Sequence, residues 1–150
     1  MENNFDTNPM DVSRQMSRSE KEVEAFAYLN KIVRGEISAV EAYSKVIEKF
    51  PHDAEKFELA SFRQDHQRNV DELKRLLRFQ GEEVSDTSGA WGSTVTTMIS
   101  IVSFMGDKSA VALLIEGEEH GLNQYSDVLN FPMFMRDCGK NDSEILVRII

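Results

Sequence analysis

The stretch FAYLNKIVRGEISAVEAYSKVI, residues 26–47, decides the fold class of this chain. Its large apolar residues recur at intervals of three or four, which is the spacing of one face of an α-helix. Ser19 and Glu22 form a capping box that predicts the start of this helix, helix A, and Pro51 predicts that it has ended. The apolar stripe consists of Phe26, Leu29, Val33, Ile37, Val40, Tyr43 and Ile47.

Two later stretches show the same spacing. Helix B is predicted to begin at a cap on Asp53 and to close at Gly81. Its stripe consists of Leu59, Phe62, His66, Val70, Leu73 and Leu77. Helix D is predicted to begin at a cap on Asp107. Its stripe consists of Val111, Leu114, Ile115, Glu118, Leu122, Tyr125 and Leu129.

The segment from Ser88 to Met105 is rich in β-branched residues and could form a strand. A lone strand cannot build a sheet, so we interpret the segment as helix C. Four amphipathic helices with short connections predict an all-α, up-down four-helix bundle. We assign residues 1–18 to a flexible N-terminal tail, 19–130 to the bundle and 131–150 to a C-terminal extension that could contain a short helix.

The charge and the hydrophobicity of the sequence indicate which kinds of partner to expect. The 26 acidic and 17 basic residues among 150 give a net charge of −9, which argues against a nucleic-acid partner. The first residues carry no apolar run and no later stretch is long enough to span a bilayer, so we expect a cytoplasmic protein with no membrane partner. The apolar segments FPMFM (131–135) and ILVRII (145–150) predict self-association or a protein partner.

Three ionisable side chains lie on the predicted apolar stripes. An α-helix turns about 100° per residue, which places Glu36, His66 and Glu118 on the inward faces of helices A, B and D. An ionised carboxylate cannot be buried alone: it needs a partner, a metal ion or a proton. The same geometry places Glu41 on a flank and turns three other polar residues of helix D outward, namely Glu116, Glu119 and His120.

A short pattern occurs twice. Gly35-Glu36 is followed by Tyr43, and Gly117-Glu118 is followed by Tyr125, each tyrosine seven residues after its glutamate. A tyrosine two helical turns away can pack its ring on the core and offer its hydroxyl group locally. No nucleotide-binding motif and no nucleophile with a convergent base is present, so no catalytic or organic-cofactor-binding residue is predicted.

Four segments together resemble the ferritin-like superfamily, in particular its small bacterial bundles of uncharacterised function. The resemblance covers about residues 20–130 and implies a four-helix fold. Its first segment is similar to the first-helix Gly-Glu motif of di-iron carboxylate members. The segments are RGEISAVEAY (34–43), HQRNVDELKRLL (66–77), SGAWGS (88–93) and EGEEHGLNQY (116–125).

The resemblance implies only part of a metal site. A complete di-iron site takes a glutamate from each of two helices and a Glu-x-x-His pair from each of the other two. Glu36 matches the first-helix ligand and His66 matches the second-helix histidine. Arg63 stands where a glutamate is expected, Gly121 stands where a second histidine is expected, and helix C offers no carboxylate.

Two functions remain open at this point. In the favoured one, the chain is a non-catalytic binding or stress-associated module. His66 and Arg63 then neutralise Glu36 and Glu118 in a structural polar layer, which Asn69, Tyr43 and Tyr125 complete. In the alternative, Glu36, His66 and Glu118 bind iron, manganese or another divalent metal, and the protein is an oxidoreductase or handles iron. Whether it is an enzyme is left undecided.

Overall fold

The structure is a computed structural model, and it describes residues 20–90, 92–93 and 106–131. Three long helices occupy most of these residues: α1 (Glu20–Ile47), α2 (Asp53–Phe79) and α3 (Asp107–Leu129). The described residues contain no strand, which confirms the all-α class and the predicted helices A, B and D. Residues 89, 90, 92 and 93 are helical, whereas Ser88, where helix C was predicted to begin, is not. Residues 91 and 94–105 of predicted helix C lie outside the described residues, so a fourth bundle helix is not confirmed.

Helix α1 is the central element, because both other helices pack mainly against it. The hydroxyl of Tyr28, near the start of α1, donates to Asp127 near the end of α3 at 3.0 Å. The side chain of Asn30 likewise donates to the carbonyl of Glu83, just beyond α2, at 2.6 Å. Helices α2 and α3 therefore both run antiparallel to α1.

The core consists of two apolar clusters spaced along α1. The larger one joins Leu29 and Val33 of α1 to Leu73 and Leu77 of α2 and to Val128 of α3. Full burial of such side chains contributes about 2 kcal/mol each. The smaller cluster lies nearer the carboxyl end of α1 and contains Ala42, Tyr43, Val46, Leu59, Ala110 and Leu114. Glu36 falls between the two clusters in the sequence of α1.

The helix starts differ from the sequence prediction by one residue. Asp53 and Asp107 are the first residues of α2 and α3 and not their caps; the N-cap positions belong to His52 and Gly106, and neither cap makes a side-chain hydrogen bond. An acidic residue in the first turn still interacts favourably with the helix dipole. The predicted closing role of Gly81 is confirmed, because its φ of 75° lies in the left-handed region that favours glycine.

The predicted apolar stripes are partly wrong. Phe62 of α2 is 45% exposed, and Ile115 and Leu122 of α3 are each 54% exposed. The buried face of α3 is instead formed by Ala110, Leu114, Gln124, Tyr125 and Val128. The three exposed side chains line a cleft between α2 and α3, because among the described residues both helices pack mainly against α1 and not against each other.

Several sequence predictions concern residues outside the described ranges. They include the Ser19 cap, the N-terminal tail and all of the C-terminal extension after Phe131. Phe131 itself packs against Tyr28, with ring centres 5.5 Å apart, so the extension begins beside the start of α1. Among the helices described, none combines the length and apolar character needed to cross a membrane.

Candidate functional site

His66 joins the three helices through both of its ring nitrogens. Nδ1 lies 2.8 Å from Oε2 of Glu36 on α1, and Nε2 lies 2.9 Å from Oε1 of Glu118 on α3. The three residues that helical phase places on inward faces are therefore brought together. Their burial differs: the side chain of Glu36 is 7% exposed and that of His66 15%, whereas that of Glu118 is 41% exposed.

The two tyrosines complete the network by crossing between helices. The hydroxyl of Tyr43 on α1 donates to Oε1 of Glu118 on α3 at 2.6 Å. The hydroxyl of Tyr125 on α3 donates to Oε1 of Glu36 on α1 at 2.8 Å. Each tyrosine thus bonds the glutamate of the other Gly-Glu segment. The polar layer runs Tyr125–Glu36–His66–Glu118–Tyr43.

Asn69 and Arg63 occupy different places relative to this layer. The amide of Asn69, one turn after His66, donates to Oε2 of Glu36 at 3.3 Å, as a member of the predicted layer would. The guanidinium of Arg63 donates instead to the hydroxyl of Ser44 at 3.5 Å. Arg63 was expected to neutralise the carboxylates, but its hydrogen bond is with Ser44. The positive charge beside Glu36 and Glu118 is that of His66.

The geometry favours the protonated form of His66. A neutral imidazole has one N–H and one lone pair, so it can donate to only one of two flanking carboxylates. Burial alone lowers the pKa of His66, but its hydrogen bonds with Glu118 and Glu36 and their negative charges outweigh burial and raise the pKa to about 9. At neutral pH the ring is an imidazolium held between two carboxylates.

The same hydrogen bonds and burial also shift the pKa values of Glu118, Tyr43 and Tyr125. The hydrogen bond from His66 lowers the pKa of Glu118, with a smaller contribution from the Tyr43 hydroxyl. Burial raises the pKa of Tyr43, and the hydrogen bond with Glu118 adds to the effect. Burial also raises the pKa of Tyr125, together with the charge of Glu36. Both tyrosines stay protonated donors.

The layer as it stands does not fit a metal centre. Within residues 20–90, 92–93 and 106–131, no group of three or more His, Cys, Asp or Glu side chains is arranged to hold a metal ion. Both nitrogens of His66 already face carboxylate oxygens, and the imidazolium ring has no lone pair to offer a cation. The metal assignment of Glu36, His66 and Glu118 stays a prediction.

Glu116, Glu119 and His120 are exposed, as helical phase predicts. Nε2 of His120 lies 2.8 Å from the side-chain nitrogen of Gln124 on the same helix. Glu41 is on the flank of α1, also as predicted, and accepts a hydrogen bond from the Ser88 hydroxyl at 2.8 Å.

A cleft of about 660 Å³ lies beside the polar layer, between α2 and α3. Glu36, His66 and Glu118 all line it. Sequence reasoning missed this cleft, because an apolar residue on the edge of a stripe has the same spacing whether it packs on another helix or borders an open space. The cleft walls include Phe62, Ile115 and Leu122, which were expected in the core.

Comparisons with known proteins give one family match. Residues 24–131 match the model of a family described as a domain of unknown function, DUF2383. Neither the curated proteins nor the solved structures contain a match. The matched range includes all of α2 and α3 and most of α1, and hence every residue of the polar layer. The chain belongs to the DUF2383 family of domains of unknown function.

Proposed function

We propose that this chain is a non-catalytic, cytoplasmic, ferritin-like bundle that acts as a binding or stress-associated module. In this proposal the polar layer is structural: it holds α2 and α3 at fixed positions on α1. The binding surface is the cleft next to the layer.

The observation that carries the proposal is the double hydrogen bonding of His66. Nδ1 and Nε2 each face a carboxylate oxygen, at 2.8 and 2.9 Å. A catalytic acid or base needs a lone pair or proton that can reach a substrate, and a metal ligand needs a free lone pair. A ring whose two N–H groups are both bonded inside the protein offers neither.

The satisfaction of the surrounding polar atoms supports the same role. Among the described residues, no buried side-chain nitrogen or oxygen lacks a hydrogen-bond partner. A fully satisfied polar layer restricts the relative positions of the helices, because sliding one helix by a turn breaks several bonds at once. Removal of one partner is costly, since it leaves a buried charge unpaired.

The ferritin-like part of the proposal rests on the sequence resemblance and on the helix arrangement. The Gly-Glu motif places Glu36 at the contact between α1 and α2, opposite the second-helix histidine that the resemblance pairs with it. The antiparallel packing of α2 and α3 on α1 is the packing that an up-down bundle requires. The cytoplasmic location is carried over from the sequence expectation.

The test is metal analysis of the purified full chain after loosely bound ions have been removed. We expect no stoichiometric iron, zinc or manganese, and we expect His66→Gln to lower the free energy of unfolding with no change in metal content. His52→Gln, at the exposed histidine that precedes α2 and makes no side-chain capping hydrogen bond, is the matched control and should leave stability unchanged within about 0.5 kcal/mol. Stoichiometric metal that is lost in Glu36→Ala or His66→Ala would overturn the proposal.

A second candidate function is the binding of iron or another divalent metal, with a role as an oxidoreductase or in iron handling. This candidate is favoured because three side chains of the types that bind metals lie close together, one from each helix: Glu36, His66 and Glu118. The arrangement fits such a role only in part, because the two protons of the His66 ring occupy the positions where a cation would bind. Metal uptake with release of protons, measured by calorimetry in two buffers of different ionisation enthalpy, distinguishes this candidate from the first.

A further inference from the structure

The cleft between α2 and α3 has the size of a small-molecule site. Its volume is about 660 Å³, and ligand pockets commonly range over ~300–1,000 Å³. Such sites combine mostly apolar walls with a few polar groups that orient the ligand. The cleft has both components.

The apolar component comes from both helices. Ile115 and Leu122 are three residues before and four residues after Glu118, so they flank it on the same face of α3. Phe62 lies one turn before His66 on α2. All three side chains are about half exposed, and the exposed area of an apolar side chain in a cleft is available to a ligand.

The charged component is acidic. Four carboxylates line the cleft, those of Glu36, Asp65, Glu116 and Glu118, and Asp65 is also paired with Arg68. Two histidines line it, His66 and His120, of which His66 carries a positive charge, and no lysine or arginine of the described residues does so. The chain as a whole carries a net charge of −9. A cationic ligand is therefore favoured over an anionic one.

Glu118 is the group best placed to orient such a ligand. Its side chain is 41% exposed, whereas that of Glu36 is 7% exposed. Within the described part of the chain, the hydrogen bonds to its carboxylate come from His66 and Tyr43, and both reach Oε1. Because no described residue donates a hydrogen bond to Oε2, its lone pairs are left for a donor in the cleft that Glu118 lines.

We propose that this cleft binds a hydrophobic ammonium ion, whose N–H groups donate to Glu118 while its apolar body lies against Phe62, Ile115 and Leu122. The proposal rests on the binding-module function above and names the class of ligand. The carboxylate of Glu118 favours the positive charge of the ligand, and the apolar walls favour its apolar body. An alcohol of the same shape can contact the walls but has no charge to interact with the carboxylate.

The test is titration of the full chain with three probes of one shape: 4-phenylbutylamine, 4-phenylbutanol and 4-phenylbutyrate. We expect the amine to bind one to one, to shift the backbone amide signals of Gly117 and Gly121, and to bind about tenfold more tightly than the alcohol, a difference of about 1.4 kcal/mol. We expect no binding of the carboxylate. Equal affinity for the amine and the alcohol would overturn the proposal, as would no binding of the amine.

Two variants with the same change in net charge make the test specific. Leu122→Lys places a cation at the half-exposed edge of the cleft without touching the polar layer, and should weaken amine binding at least about tenfold. Glu119→Gln, on the outward face of α3, should leave it unchanged. Equal effects of the two variants would overturn the proposal.

Sedimentation of both variants tests whether a second copy of the chain covers the cleft. A dimer that Leu122→Lys converts to monomer, with no amine binding in the wild type, would also overturn the ligand proposal. The ligand proposal and the structural role of the polar layer can fail separately. If the amine does not bind, but the protein contains no stoichiometric metal and His66→Gln is destabilised, then only the ligand proposal is wrong.

Discussion

The hydroxyl of Tyr125 donates to Oε1 of Glu36 at 2.8 Å, across 89 residues of sequence. Tyr43 makes the corresponding bond to Glu118, so the two Gly-Glu segments exchange their tyrosines. His66 lies between the two glutamates and bonds both. The arrangement around the imidazole is thus nearly symmetric: one carboxylate and one tyrosine on each side, drawn from α1 and α3. The two sides differ in exposure, and that difference leads to unequal mutational effects.

Tyr125→Phe should destabilise the protein more than Tyr43→Phe. Both variants remove one hydroxyl and keep the ring, but the bond from Tyr125 is buried and its acceptor Glu36 has little access to water. Loss of a partner from a buried charged group costs about 1–3 kcal/mol. Glu118 is 41% exposed and can accept a water molecule in place of the Tyr43 hydroxyl. Urea unfolding of the two variants measures the difference, and equal losses would contradict the burial difference.

Stability should fall as the pH rises from about 6.5 to about 9. The pKa of His66 is about 9 in the folded chain, whereas the ordinary pKa of a histidine is 6.5, so the folded state holds its proton more tightly. The stabilisation is fully present below the unfolded pKa and is lost as the pH rises through the folded pKa. A shift of this size corresponds to about 3 kcal/mol.

The measurement is the free energy of unfolding of the wild type and of His66→Gln at several pH values between 6 and 10. The glutamine variant cannot take up a proton, so the difference between the two proteins isolates the contribution of His66. We expect that difference to shrink as the pH rises. A difference independent of pH would mean that the ring is not held as an imidazolium.

How much of this could be predicted from the sequence depends on whether a feature belongs to one helix or to several. The convergence of Glu36, His66 and Glu118 is predictable, because each lies within the apolar stripe of its own helix and helical phase directs all three inward. The exchange of tyrosines is not, because it depends on how α1 and α3 are placed against each other. The exposure of Phe62 has the same origin: its spacing on α2 does not specify whether it borders a packed helix or a cleft.

Gly92→Ala should destabilise the packing of the helical residues 92 and 93. A Cβ at this position would overlap the side chain of Ser88 and lie 2.9 Å from Oε2 of Glu41, so the backbone or both side chains must move. Overpacking of this kind costs about 1–3 kcal/mol. Gly117→Ala is the control, because no atom lies within 4 Å of its added methyl group. It should raise helix stability by up to about 1 kcal/mol.

Thermal unfolding monitored by circular dichroism compares the two glycine variants. We expect a lower Tm for Gly92→Ala and an unchanged or higher Tm for Gly117→Ala. Ser88→Gly combined with Gly92→Ala should restore part of the loss, since it removes the closest clash. If Gly92→Ala is as stable as the wild type, Ser88 does not pack against residue 92.

The protonation state of His66 can be measured directly by nitrogen NMR of the histidine side chains in the ¹⁵N-labelled full chain, with His66→Gln used to assign the signals. We predict that at pH 7 both Nδ1 and Nε2 of His66 carry a proton, and that the ring loses one of them only near pH 9. A His66 ring that is neutral at pH 7, with a single protonated nitrogen, would contradict the description of this layer as an imidazolium held between Glu36 and Glu118.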